Sequence, residues 1–477
     1  MNFPHNFSMS LLASLLASAC TVGPDYIKPD TTNPATFKEA EGWKIAEPGD
    51  SAIPQKWWEV FNDPELNQLE EQVEINNQNL RAVEARFRQS QALVASSRSA
   101  YLPLLGINAN KTRNQPSGNS TNSINGARIR NTNTLSLNLS WEADIWGRIQ
   151  RTVESSAAGA EASISDIAAA RLSAQAELAQ NYFSLRIADS QKKLLDETVL
   201  SYQKSMTLTQ NRYQAGVVGK SDVVQAETLL KSTQVQAADL AMQRTQFEHA
   251  IALLIGKAPA ELAIKPTTLN VAIPDIPLSL PSQLLERRPD IAAAERRVAS
   301  ANAQIGVAKA AYFPTLTLSA VAGFQSNNLS DLFNWPSRIW SLGSALALTA
   351  FDGGKRHALS DQAVAVYDEN VANYRQTVLT GFKEVEDSLI ALRVLQEEQK
   401  LQAQALEAAR ASQNYTTNQY KAGIVNYLDV INVYNIALNN ERTLINLQGN
   451  QMLNSVLLIK ALGGGWSVKE NVKPLAN

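Results

Sequence analysis

The chain has 477 residues, 44% of them hydrophobic, and a formal net charge of −2 at pH 7. That balance lacks the basic excess a nucleic-acid binder carries, so no nucleic-acid partner is expected. Three His and one Cys are too few for a zinc or copper centre, and no Ser/His/Asp or Cys/His set offers a nucleophile; no enzyme activity, cofactor or metal is expected.

Residues 1–19 read as a signal peptide, because an apolar run starting near Ser8 ends in the small residues Ala17-Ser18-Ala19. At roughly a dozen residues it is too short to cross ~30 Å of hydrocarbon. Cys20 then stands where a bacterial lipoprotein carries its lipidated cysteine. Ala17 replaces the usual Leu, and no Lys or Arg precedes the apolar run; an ordinary cleaved signal with a chance Cys is the alternative. Thr21 after the Cys is compatible with sorting to the outer membrane.

After an N-terminal extension (20–63), helical sequence runs from Glu65 to Ala100, followed by a weakly alternating strand over Leu102 to Asn110. A polar loop spans 111–133. Leu135, Leu137, Leu139 and Trp141 then alternate with Ser136, Asn138 and Ser140, the period of a strand with one apolar face. No proline occurs from Ser117 to Ala258 or from Ser337 to Lys473, so each of these stretches can hold uninterrupted helix. Helices from Arg148 to Tyr213 and from Lys355 to Tyr420 would each be about 100 Å long. Each meets a turn, "YQAGVVGKSDV" at 213–223 and "YKAGIVNYLDV" at 420–430, and then a shorter helix. The two turns lie 207 positions apart (420 − 213).

The repetition extends further. "NLRAVEARFRQSQALVASSRSAYLP" (79–103) aligns without gaps to "DIAAAERRVASANAQIGVAKAAYFP" (290–314), and "DIWGR" at Asp144 to "DGGKR" at Asp352. The chain therefore reads as two repeats, 64–258 and 282–465, joined by a Pro-rich linker (259–281) and followed by a tail (466–477). In the second repeat Leu316, Leu318, Ala320, Ala322 and Phe324 form one strand, and Leu346, Leu348 and Ala350 another. Ile431, Leu438, Ile445, Met452 and Ile459 recur every seven positions, as do Val199, Met206 and Tyr213, the spacing of a coiled-coil seam. Trp141, Trp335 and Trp340 could form aromatic girdles. Strict alternation also fits a soluble sandwich with one buried face, but the long polar loop favours outer-membrane barrel strands. Four of these cannot close a barrel, so the sequence then demands an oligomer.

"CTVGPDYIKP" (20–29), "WEADIWGRIQR" (141–151), "LLERRPDIAAAE" (284–295), "AYFPTLTLS" (311–319) and "FDGGKR" (351–356) resemble the bacterial outer-membrane efflux proteins, the TolC-like channels, and within them the lipoprotein branch. The resemblance implies a mainly α fold with a membrane β-barrel portion. Duplicated helix-strand-strand-helix-helix halves would assemble as a homotrimer with a 12-stranded β-barrel continued by a long periplasmic α-helical barrel. It implies an exit duct of a tripartite pump, lipid-anchored through Cys20 in the outer membrane. A periplasmic adaptor and an inner-membrane transporter of the resistance-nodulation-division type would be its partners. Carried over residue by residue, Asp429 would line a three-carboxylate constriction at the periplasmic tip, with Asp222 and Tyr420 tying neighbouring hairpins. Asn432 stands where a second acid is common, and Val425 where some members have Arg. Gly216, Val217, Gly423 and Ile424 would form the tips that meet the adaptor.

Helix capping is the plainer expectation for Asp222 and Asp429. A type I secretion outlet and a non-conducting envelope scaffold are the competing functions. Arg287-Arg288-Pro289 is expected to start a helix, Glu384, Glu386 and Asp387 to be a solvated face, and Gly463 to Gly465 to stop a helix.

Overall fold

The computed structural model describes residues 21–31, 34–39, 56–115, 117, 129–270, 274, 276 and 287–466. The expected signal peptide, Cys20, much of the linker and nearly all of the tail lie outside them. In chain order the elements are α1 (Pro64–Asn76), α2 (Gln78–Ser99), β1 (Leu104–Asn114), β2 (Arg130–Ala143), α3 (Arg148–Gln214) and α4 (Lys220–Leu254). The second half contributes α5 (Pro289–Ala310), β3 (Thr315–Ser326), β4 (Arg338–Ala347), α6 (Lys355–Lys421) and α7 (Tyr427–Ala461). The two long helices have 67 residues each and the two that follow the turns 35 each. No described helix is long and apolar enough to cross a membrane. Two units can be distinguished, one holding the sheet, the other holding the α3–α4 and α6–α7 turns.

In the unit with the turns, the single helix expected from Glu65 to Ala100 is two. Asp63 caps α1 through bonds from the Glu65 and Leu66 amides at 3.0 and 3.2 Å. The break falls at Asn77, extended at ψ 119°, in a run of Asn and Gln that favours caps over helix interiors. Its Oδ1 accepts from the Asn79 and Leu80 amides, and its Nδ2 donates to Leu254 O at 2.8 Å. The second half repeats this joint. Arg288, at the position equivalent to Asn77, donates Nη1 to Ala461 O at 3.2 Å. Gly256 and Gly463 let the backbones meet there: a Cβ would lie 2.3 Å from Asn76 O at one and 2.1 Å from Arg287 O at the other. The end of α4 thus stacks on the start of α2, and the end of α7 on the start of α5.

Arg288 also pairs with Asp290 and Glu384, and Pro289 opens α5 as expected. The acidic run at 384–387 is not simply a solvated face. Glu386 accepts from the Lys38 and Glu39 amides at 2.7 and 2.9 Å, while Phe37 packs edge-on against Phe382. The run holds the N-terminal extension, a long-range contact that a local reading has no means to register.

The linker is held by charge. Buried Arg186 contacts Glu65 and Asp189 and donates to Lys265 O. Arg244 pairs with Asp189 and Glu248, whose Oε1 accepts from the Ile264 amide. Removing these ions from water is tolerable because each is paired and hydrogen-bonded. Glu70 differs: it is fully buried in α1 with neither carboxylate oxygen bonded, and burial pushes its pKa well above the usual carboxylate value.

The α7 seam forms, with Leu438, Met452 and Ile459 buried. On α3 the buried stripe is Leu195, Tyr202 and Thr209, displaced from the expected Val199, Met206 and Tyr213. Leu195 packs with Leu240 and Leu438, and Tyr202 against Tyr434. The neighbouring helices, not the local heptad, choose the face.

In the other unit the N-terminal segment forms a strap. Its Val22 amide donates to Trp146 O at 3.1 Å, Asn302 Nδ2 donates to Pro24 O at 3.0 Å, and Arg151 pairs with Asp25 at 2.8 Å. Gly23 and Gly306 meet so closely that a Cβ on Gly23 would lie 2.5 Å from the Gly306 Cα. The four strands form one antiparallel sheet in the order β1-β2-β3-β4. Strand β4 begins earlier than its sequence pattern indicates and ends at Ala347, leaving Leu348 and Ala350 outside it. Strands β1 and β2 reach into the expected loop as far as Asn114 and from Arg130.

Candidate functional site

Two features could make a conduit: the sheet as a wall, and the two helical turns as an end. The register sorts the sheet's side chains. Leu105 pairs with Leu139, Leu139 with Ala320, and Ala320 with Leu342. Ile107, Leu137, Ala322 and Trp340 form the next row on the same face. The opposite face carries rows such as Gly106, Asn138, Val321 and Ser341. Polar Ser136 is 5% exposed, whereas its neighbour Leu137 is 47% exposed. That inverts the arrangement water favours. The apolar face continues from Ala143 to Leu135 along β2, about 27 Å at ~3.4 Å per residue, comparable with the ~25 Å apolar band of a membrane barrel. Among the described residues, neither outer edge, on β1 or on β4, has a paired strand.

The two turns share one backbone. After α3 the Gly216 amide donates to Tyr213 O and the Val217 amide to Arg212 O; after α6 the Gly423 amide donates to Tyr420 O and the Ile424 amide to Gln419 O. This pattern needs a left-handed residue, and Gly216 and Gly423 have φ of +72° and +80°. Val217 and Ile424 project from the turns, 61% and 71% exposed.

The side chains differ. Asp429 forms a capping box with Asn426, its amide donating to Asn426 Oδ1 at 3.0 Å and its Oδ2 accepting from the Asn426 amide at 3.3 Å. Gly219 occupies the cap of α4 and offers no side chain, and Asp222 accepts from Ser221 Oγ at 3.3 Å. Asn432 is exposed one turn beyond Asp429. Tyr420 is 4% exposed, while its repeat counterpart Tyr213 is 38% exposed.

Within the chain it is Arg212 that ties the two turns. Its Nη1 donates to Tyr420 O at 2.9 Å, and its guanidinium lies 4.5 Å from the centre of the Tyr420 ring. The Tyr420 hydroxyl is buried without a hydrogen-bond partner among the described residues. Tyr420 packs with Tyr427, Val430 and Ala226, and Val425 joins this cluster as an apolar contact rather than a charged one. Tyr427 and Ser205 hydroxyls are 3.1 Å apart across the turns, and burial raises the Tyr427 pKa. Arg212, Tyr427 and Tyr434 belong to the turns although no motif in the sequence singles them out. The heptad spacing of Tyr420, Tyr427 and Tyr434 was available in the sequence, whereas Arg212, opposite Gln419 in the repeat, left no pattern. Among the described residues no cluster of metal-ligating side chains occurs.

Comparisons with known proteins agree with this geometry. The family described as outer membrane efflux protein matches residues 69–257 and 280–464. The toluene efflux pump outer membrane protein TtgF of Pseudomonas putida is 31% identical over 466 residues, covering 96% of each chain. The outer membrane protein OprJ of Pseudomonas aeruginosa is also 31% identical, covering 96% of this chain and 95% of its own. Among solved structures, the outer-membrane channel OprN superposes with a TM-score of 0.88 at 32% identity, covering 94% of this chain and 100% of its own. The Campylobacter jejuni CmeC outer membrane channel superposes with a TM-score of 0.89 at 26% identity, over 94% and 96%. With two matched repeats, a membrane-type sheet and paired helical turns, the chain belongs to the outer membrane efflux protein family, the TolC-like channels that combine a β-barrel portion with an α-helical barrel.

Proposed function

We propose that this efflux channel works as a homotrimer, three copies closing a 12-stranded barrel through which small organic compounds leave the periplasm. The observation that carries the reading is the sheet with one apolar face, one polar face and two open edges. Open edges in lipid leave unpaired backbone groups at several kcal/mol each, and edge-to-edge pairing with copies removes that cost. The relatives named for toluene, solvent or antibiotic efflux support apolar solvents and antibiotics as cargo. In this reading Asp429 lines the periplasmic entrance, with Asp222, Tyr420 and Asn432 around it. The exposed Val217 and Ile424 beside Gly216 and Gly423 present the surface for a periplasmic adaptor, behind which stands an inner-membrane transporter of the resistance-nodulation-division type. A lipid on Cys20 would anchor the chain. Its neighbour Thr21 packs against Gly147 where β2 gives way to α3, which supports an anchor at the base of the sheet.

Single-channel conductance in a planar bilayer tests the reading. A small wild-type conductance that rises in Asp429→Ala supports a gated duct with Asp429 at its throat. Large conductance in both moves closure elsewhere, and no conductance in either overturns the channel.

A further inference from the structure

The sheet's apolar face does not end in neutral polar residues at its loop end. Helices α2 and α3 adjoin the start of β1 and the end of β2, so the end of β1, the start of β2 and the β3–β4 connection lie at the other end, which is the external one in an outer-membrane channel. There, residues in register with the apolar rows are cationic. Lys111 and Arg113 follow Leu105, Ile107 and Ala109 on the same face of β1, and Arg338 shares a row with Leu135 and Phe324. The β3–β4 connection folds back over this face. Phe333 packs edge-on against Phe324, and Arg338 Nε donates to Trp335 O at 3.2 Å with its guanidinium over the Trp335 ring. Beneath Trp335 and Pro336 is a hollow of about 850 Å³, floored by Ile107, Leu137, Phe324 and Trp340 and edged by Arg338. The acid of this connection, Asp331, faces the amides of Asn328 and Asn334 at 3.2 and 3.4 Å. No ion pair to a described residue engages Lys111, Arg113 or Arg338.

We infer that this hollow is a binding site for a phosphorylated, multiply acylated lipid of the outer leaflet. An acyl chain fills the apolar hollow and the phosphates lie against Arg338, Lys111 and Arg113. Charge complementarity selects an anionic lipid, because guanidinium and ammonium groups at the upper rim of an apolar band meet headgroups, and Arg can donate to phosphate bidentately. Trp335 and Trp340 have the amphipathic rings that settle at headgroup level. The inference depends on the outer-membrane placement of the chain and not on how its entrance is gated, so conductance results do not bear on it.

Native mass spectrometry of the full-length protein in detergent tests it, with hexa-acylated bisphosphoryl lipid A, its dephosphorylated counterpart and inorganic phosphate as probes. Binding of the bisphosphoryl lipid is expected to weaken at least tenfold in the triple variant Lys111→Ala/Arg113→Ala/Arg338→Ala. It should survive in Lys111→Arg/Arg113→Lys/Arg338→Lys, while Trp335→Ala should weaken the phosphorylated and dephosphorylated lipids alike. Unheated gel migration checks that each variant keeps its assembled form; should the triple variant fail that check, Arg338→Ala alone and a salt titration of the wild type read the same dependence. Equal binding by the alanine variant, equal binding of the dephosphorylated lipid, or displacement of the lipid by inorganic phosphate would each overturn the assignment.

Discussion

The two helical turns began as copies and still share a backbone. Both use a left-handed glycine, both close with the same pair of amide bonds, and both present an exposed apolar residue next. What separates them is where the preceding tyrosine goes and what caps the following helix. Tyr420 is buried beneath Arg212 and followed by a capping box; Tyr213 is partly exposed and followed by a bare Gly219 cap. Backbone geometry at a turn needs only a glycine in the right place. The packing around it can therefore diverge without disturbing the turn. The difference makes the second turn the held element and the first its holder.

The largest break in this asymmetry should come from tyrosine truncation. Tyr420→Ala is expected to cost about 3 kcal/mol, in the range for emptying an aromatic core site, and Tyr213→Ala less than about 1 kcal/mol. Hydrogen exchange of the amides in 420–430 and 213–223 reads both. Arg212→Ala comes next, removing a charged hydrogen bond and a cation–π contact for about 1–3 kcal/mol. It should raise conductance and speed exchange in the second turn, with Arg212→Lys keeping part of the effect. Equal exchange in both turns after Arg212→Ala would end the holder-and-held description.

Exchanging the caps is a finer probe. Asn426→Ala should cost about 1 kcal/mol and Asn426→Gly a few tenths, while Gly219→Asn should slow exchange at the start of α4. The smallest effect on either turn is expected from Glu70→Gln, which acts elsewhere. Because burial raises the folded-state pKa of Glu70, the wild type is fully stable below the unfolded value of about 4.3 and loses stability as pH rises toward the folded value. The Gln variant should lack that loss, so denaturant midpoints should match near pH 4 and favour the variant at pH 7, with turn exchange unchanged.

Much of the fold was legible because it obeys long, local patterns. The absence of proline and the Tyr-x-Ala-Gly turns located both 67-residue helices to within a residue at each end. Alternation located β2 and β3, where each apolar residue had an apolar partner in register. It misplaced β4, because Ser344 interrupts the apolar face and Ile339 stands on the polar one in the paired part, while Leu348 continues the alternation past the end. At the candidate site, the turn glycines and Asp429 could be read from the repeat. The Arg212 contact could not, since it joins residues 208 positions apart and has no counterpart in the other half.

The sequence by itself determined the duplication, the helix lengths and the turn backbones, because each follows from residue periodicity or from conformations that Gly and Pro alone dictate. Only the tertiary structure decided which of the two duplicated tyrosines is buried, that the acidic run at 384–387 holds the N-terminal extension, that Asn77 and Arg288 mark equivalent joints, and that cations crown the apolar face. Those outcomes depend on which surfaces meet across long chain separations. Such meetings are settled by packing and by the pairing of buried charges, which no short stretch of sequence encodes.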